Sequence, residues 1–252
     1  MPVNYTEDAF NGLIIDTNTI PTDSVEFGAS LTNILAYSAE NNKGITWLTL
    51  PIEKSHHVGR ATALGFIYHC CQAHELTLVH KNQPAQFVPF IPSHTVGAGA
   101  LIKNSAGEIL VVQEYGMTGY KLPGGHVEQG ERIEDAVLRE VLEETGIKCE
   151  FVSVLGFSNK HPYKFGKSNL YFICELRPLH NHIQILDTQE ILDARWISLA
   201  DFQRDAKNSA YNHELFSALF NLSGLQPQAL ENNKGAHKKL EIFFANHKDG
   251  LL

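Results

Sequence analysis

Apolar positions recur along the chain at two spacings, every second residue and every third to fourth, and their succession predicts alternating strands and helices. Phe10 to Asp16 (FNGLIID) and Gly44 to Leu50 (GITWLTL) read as strands, with an amphipathic helix over residues 24 to 41 between them. His57 to Leu64 predicts a short helix. Phe66 to Cys71 and Glu75 to His80 predict two strands around Gln72-Ala73-His74, completing a small α/β unit. Three prolines in Gln83 to Ser93 (QPAQFVPFIPS) have linker chemistry, so a first domain over residues 1–92 is expected.

Beyond that segment, Thr95 to Lys103 and Glu108 to Glu114 predict a strand pair around Asn104-Ser105-Ala106-Gly107, whose Asn and Gly suit a hairpin. A helix follows near 131–145, with Gly146 as a natural stop. Lys148 to Gly156, Leu170 to Leu176 and Ala194 to Ile197 predict three further strands, and a helix near His213 to Leu222 closes a second domain over 93–222. Residues 223–252 form an extension in which Lys238 to Asn246 (KKLEIFFAN) makes a short docking helix or lies against a partner. No repeat or low-complexity tract interrupts this order.

Composition narrows the classes. With 252 residues and 43% hydrophobic content, the chain can bury a sizeable core in one or two domains. A net charge of −8, with no Lys/Arg run, argues against a nucleic-acid surface; contact with a polyanion should be local and metal-mediated. No apolar run approaches the ~20 residues that span a bilayer, and the start MPVNYTEDAF has no basic segment leading into an apolar one, so no membrane partner and a soluble, cytoplasmic protein are expected. The four cysteines show no CxxC spacing and sit in apolar stretches, which predicts buried free thiols. The pairs His56-His57 and His180-Asn181-His182 have no partners at metal-site spacing and read as solvated loops.

The densest candidate chemistry lies in Arg139-Glu140-Val141-Leu142-Glu143-Glu144. At about 100° per residue, Glu140, Glu143 and Glu144 fall within an arc of roughly 100°, while Val137, Leu138, Val141 and Leu142 gather opposite. Like charges one turn apart cost a helix a few tenths of a kcal/mol per pair, a term that a hard cation reverses. A solvated acidic face, with Arg139 relieving Glu143 and Asp135, is the ordinary account of such a run. The surroundings shift the balance. Leu122-Pro123-Gly124-Gly125 and Gly130-Glu131 supply a loop whose backbone can approach a ligand closely, and oxygen-only donors suit Mg²⁺ or Mn²⁺ rather than Zn²⁺.

These residues resemble the Nudix hydrolase signature at every specified position: Gly125, five residues, Glu131, seven residues, Arg139-Glu140, Val141-Leu142, Glu143-Glu144, Thr145-Gly146 and Ile147. The resemblance implies an α+β fold, a mixed-sheet α/β/α sandwich, and hydrolysis of a nucleoside diphosphate linked to another moiety. It further implies that Glu140, Glu143 and Glu144 bind metal with the Gly124 carbonyl, and that Glu131 and Arg139 brace loop and helix. In related enzymes the general base is often a glutamate before the last core strand, where Glu190 stands; Glu144 and Glu190, with Glu131 and Arg139, are thus the expected catalytic set.

Specificity is expected from Ser158 to Ser168, a segment between two predicted strands in which Lys160, His161, Tyr163 and Lys167 can clasp a phosphate and stack a base. Pro162 resembles a marker of ADP-ribose hydrolases and Tyr163 one of dinucleoside polyphosphate hydrolases. The first ninety residues are similar to the N-terminal module of a plant and animal Nudix subgroup. That similarity implies a small acetyltransferase-like α/β domain with a packing or dimerisation role, hence a homodimer, and ADP-ribose or NADH-like substrates yielding AMP- or NMP-type products. Asn169 and Tyr120 depart from the aspartate and tryptophan expected there. A nucleotide-sensing domain without turnover and an interaction protein acting through residues 1–92 are the alternatives; the complete signature favours the enzyme.

Overall fold

Two short antiparallel strands, β1 (Tyr5–Glu7) and β2 (Leu13–Ile15), begin the first of two units in a computed structural model, which describes residues 3–9, 11–82, 87–229 and 240–245. Phe10 lies outside the described residues. The first unit, Met1–Pro92, then forms α1 (Ser24–Glu40), β3 (Ile45–Pro51), α2 (Val58–Ala63), β4 (Ile67–Cys71) and β5 (Glu75–Lys81). Helix α1 starts where Asp23 accepts hydrogen bonds from the Val25 and Glu26 N–H groups at 2.9 and 2.8 Å, a cap that the short acidic side chain makes possible. Its inner face buries Phe27, Leu31 and Ile34 against Leu48 and Leu78 of a five-stranded sheet ordered β1-β2-β3-β5-β4.

His57 is not in a solvated loop. It is fully buried, stacked on Phe27 with ring centroids 4.3 Å apart, and its Nε2 lies 2.7 Å from the Pro21 carbonyl oxygen. Burial lowers its pKa. The thiols also depart from expectation: Cys174 is buried, Cys70 and Cys149 are partly covered, and Cys71 on edge strand β4 is exposed.

The second unit, Ser93–Leu252, contains β6 (His94–Ile102), β7 (Ile109–Glu114), β8 (Gly124–His126), α3 (Ile133–Thr145), β9 (Cys149–Lys160) and β10 (Ser168–Pro178). β11 (Ile191–Ile197), α4 (Leu199–Arg204), α5 (Ala210–Leu219), β12 (Gln226–Pro227) and β13 (Phe243–Phe244) follow. A mixed four-stranded sheet runs β8-β6-β10-β9, with β6 and β10 parallel. Alternate β6 residues point to opposite faces: Ala98, Ala100 and Ile102 meet Val137 and Val141 of α3, while Leu101 meets Phe202 of α4 and Phe216 of α5. The sheet is therefore sandwiched by helices.

β6 and β7 do not form the expected hairpin. The Asn104 side chain does close the turn, accepting from the Ala106 and Glu108 N–H groups at 2.9 and 3.0 Å, but the strands share only the Lys103–Ile109 bridge. Both edges of β6 are already taken, by β8 and β10, so β7 pairs with β11 in a separate antiparallel ladder. The described part of KKLEIFFAN is not helical: Phe243–Phe244 pairs with Gln226–Pro227. Lys238, Lys239 and Asn246 lie outside the described residues. No helix among the described residues is long and apolar enough to cross a membrane.

Candidate active site

Two consecutive glycines of β8 let the acids of α3 lie directly on backbone. Gly124 adopts φ 141°, and a Cβ there would fall 2.3 Å from the Ala98 carbonyl oxygen; a Cβ at Gly125 would sit 2.6 Å from the Glu140 carboxyl. Glu144 reaches across from α3 to accept the Gly124 N–H at 2.6 Å. Helix α3 ends at Gly146, whose φ of 71° closes it in the left-handed region and donates its N–H to the Leu142 carbonyl at 2.8 Å.

Arg139 organises the outer acids. Its Nε and Nη2 grip the Glu131 carboxylate at 2.9 and 3.0 Å, Nη1 reaches Glu140 at 2.9 Å and Glu143 at 3.2 Å, and Nη2 also donates to the His126 carbonyl at 3.1 Å. The hydrogen bonds from Arg139 hold Glu131 below the usual carboxylate range. Glu143 is half-exposed and turned toward Arg139.

A different trio converges beside α3: Glu114, Glu144 and Glu190 carry carboxylate oxygens all within 4.8 Å of one another. Glu114 ends β7 opposite Ile191, and the Tyr115 N–H donates to the Glu190 carbonyl at 2.9 Å, so the β7–β11 ladder places both acids beside α3. Lys121 completes the cluster. Its ammonium pairs with Glu114, lies 3.8 Å from Glu144 and donates to the Gly124 carbonyl at 3.2 Å. Burial pushes Glu144 up to about 8, against the pull of Lys121 and the Gly124 N–H; burial likewise raises Glu140. Glu144 is only 4% exposed, and every donor here is oxygen, the chemistry of a hard divalent cation.

Glu114, Glu190, Lys121 and Gly124 open into a cavity of about 390 Å³ in the second unit, also lined by Lys160, Tyr163, Lys164, Asn169, Tyr171 and Tyr211. The Lys160 ammonium stands 5.2 Å from the Tyr211 ring centroid and 5.8 Å from that of Tyr171. Gly97 and Gly99 of β6 make room for the Tyr171 ring, since a Cβ at Gly99 would meet its hydroxyl at 2.0 Å. Of the expected specificity residues, Lys160 and Tyr163 line the cavity. His161 and Lys167 do not; His161 bonds Ser168 instead.

The structure thus brings Glu190, Gly124, Lys160 and Tyr163 to one cavity, with Glu144 behind its wall against Glu190 and the Gly124 N–H and Glu140 and Glu143 held by Arg139, which Glu131 braces. Sequence reasoning missed Glu114, Lys121, Lys164 and Tyr211. Lys121, a cation immediately before Leu122-Pro123-Gly124-Gly125, and Lys164, inside the Ser158 to Ser168 segment, had available signals.

A family model described as the NUDIX domain matches residues 93–219, and one described as a Nudix hydrolase domain matches residues 3–81. The chain is 37% identical over 203 residues to Nudix hydrolase 8 of Arabidopsis thaliana, covering 78% of this chain and 55% of that protein. It is 32% identical over 250 residues to Nudix hydrolase 10 of the same plant, covering 98% and 88%. Nucleoside diphosphate-linked moiety X motif 6 of Mus musculus is 34% identical over 207 residues, covering 78% and 66%. The chain therefore spans little more than half the length of the first of these relatives.

Proposed function

Because the chain belongs to the Nudix hydrolase family, we propose that it is a divalent-metal-dependent hydrolase of a nucleoside diphosphate joined to a second moiety, with ADP-ribose or NADH-like molecules as substrates and AMP- or NMP-type products. The convergence of Glu114, Glu144 and Glu190 beside the Gly124 carbonyl carries this reading. Glu140, Glu144, Glu114 and the Gly124 carbonyl are suited to hold Mg²⁺ or Mn²⁺, and Glu143 can join them once released by Arg139. Bound there, the cation would neutralise phosphoryl oxygens and lower the pKa of a coordinated water.

The chain's own residues divide the remaining work. We assign to Glu190, the exposed member of the trio and part of the cavity lining, the role of taking a proton from the attacking water. Glu131 and Arg139 hold Glu140 toward Gly125. Lys160 and Lys164 offer positive charge to a diphosphate, and Tyr163 and Tyr211 offer ring faces to a base or nicotinamide.

Release of AMP from ADP-ribose and from NADH in the presence of Mg²⁺, repeated with EDTA and with Glu144→Gln, tests the proposal. Loss of product in both controls is expected; undiminished turnover in EDTA would refute metal dependence, and nucleotide binding without product would point to a sensor. Ranking kcat/KM across nucleotide sugars, dinucleotides, ADP-ribose, NADH and coenzyme A assigns the substrate class.

A further inference from the structure

Helix α3 carries the acids but lacks a cap of its own. Arg132, at the N-cap position with φ −82° and ψ 149°, makes no side-chain cap bond, and a guanidinium has no acceptor to offer. The first backbone N–H groups of a helix have no partners within it. Here they are met from far along the chain: Glu241 accepts from the Ile133 N–H at 2.8 Å and from the Glu134 N–H at 3.1 Å, one oxygen each, and lies 3.8 Å from Arg132 Nε. Glu241 itself is largely buried, at 13% side-chain exposure.

The segment that delivers Glu241 is anchored immediately after it. β13 pairs with β12, the Gln228 N–H donates to the Ile242 carbonyl at 2.8 Å, and Phe243 packs on Phe151 of β9 with ring centroids 5.8 Å apart. Phe243 also joins the apolar cluster under α3. A fixed carboxylate at this helix end satisfies two N–H groups and complements the positive pole of the helix.

What it fixes bears on the acids. Ile133 and Glu134 follow Glu131 almost directly, and Glu131 is the anchor of Arg139, whose Nη1 grips Glu140. We propose that Glu241 is the N-terminal cap of α3, supplied from the carboxyl-terminal segment, and thereby a positioning residue for the Glu131–Arg139–Glu140 chain. Residues 240–245 are then a working part of the acid site rather than an appendage. The consequence for activity rests on the hydrolase reading above; the cap itself does not.

Full-length Glu241→Ala, Glu241→Gln and the double variant Arg132→Asp/Glu241→Ala separate the possibilities, because an aspartate at 132 caps the same turn locally. Amide exchange at residues 133–136 is measured alongside Mn²⁺ binding, the Mg²⁺ concentration for half-maximal turnover, kcat and KM. Glu241→Ala should speed exchange at Ile133 and Glu134 roughly fivefold and weaken metal binding severalfold with nucleotide KM little changed. Glu241→Gln should fall between it and the parent, and the double variant should restore both exchange and metal binding. Unchanged exchange in Glu241→Ala overturns the cap. Faster exchange with unchanged Mn²⁺ binding, or restored exchange without restored binding, overturns the positioning role. If the parent protein hydrolyses nothing, the hydrolase reading falls while exchange and Mn²⁺ binding still decide this one.

Discussion

Replacing Lys121 by methionine should make the stability of this acid cluster depend on a divalent cation. The ammonium pairs with Glu114, lies 3.8 Å from Glu144 and touches the Gly124 carbonyl, so it satisfies the same oxygens that suit a divalent cation. At 3.8 Å and an effective dielectric of about 20, the attraction to an ionised Glu144 is roughly 4 kcal/mol before desolvation is subtracted. Removing one partner of a buried pair typically costs ~3–5 kcal/mol. Because Glu144, with a pKa of about 8, is largely protonated near neutral pH without metal, the loss falls mainly on the Glu114 pair, and a net loss of about 2 kcal/mol is expected. For a chain of this size that lowers the thermal midpoint by roughly 4–8 °C. In EDTA the variant should melt lower than the parent by this amount, and saturating Mg²⁺ should close most of the gap, because the cation replaces the missing positive charge. Thermal unfolding with and without Mg²⁺ reads both. An equal deficit in EDTA and in Mg²⁺, or a larger Mg²⁺ shift in the parent, would refute the idea that lysine and cation serve one set of oxygens.

Without metal, Glu144 titrates near 8 instead of its ordinary 4.5, so the folded chain favours the protonated form and its stability declines as pH rises from about 4.5 through 8. Thermal midpoints in EDTA from pH 5 to 9 should show that decline, and Glu144→Gln should flatten it. Conversely, half-saturating Mg²⁺ should fall over the same interval as the carboxyl sheds its proton. Gly125→Ala places a methyl group 2.6 Å from the Glu140 carboxyl and should weaken Mn²⁺ binding severalfold, read by titration, whereas Gly130→Ala meets nothing within 4 Å and should cost only about 1 kcal/mol from its φ of 78°, read by denaturant unfolding. Tyr211→Ala removes a ring from the cavity wall and should raise KM severalfold with kcat nearly unchanged, at ~0.5–1.5 kcal/mol for a lost aromatic contact.

Local periodicity made much of the fold legible. The span 24 to 41 became α1, and the strands expected at 44–50, 66–71 and 75–80 became β3, β4 and β5 within a residue or two. In the second unit the acid arc of α3 and its Gly146 stop were readable because helix geometry and a left-handed terminus are set by residues a few positions apart. His57 was misjudged for the same reason: nothing next to it reveals that Phe27 and the Pro21 carbonyl close over its ring.

The sequence by itself determined the types of the longer elements, the acidic face of α3 and the glycine loop that admits it, since each depends on side-chain spacing along one continuous segment. Only the tertiary structure decided which strand pairs with which, because ladder hydrogen bonds join backbone groups and carry no residue code. That choice brought Glu114 to Glu190 through β7 and β11, turned a presumed hairpin into two sheets, and carried Glu241 to the head of α3.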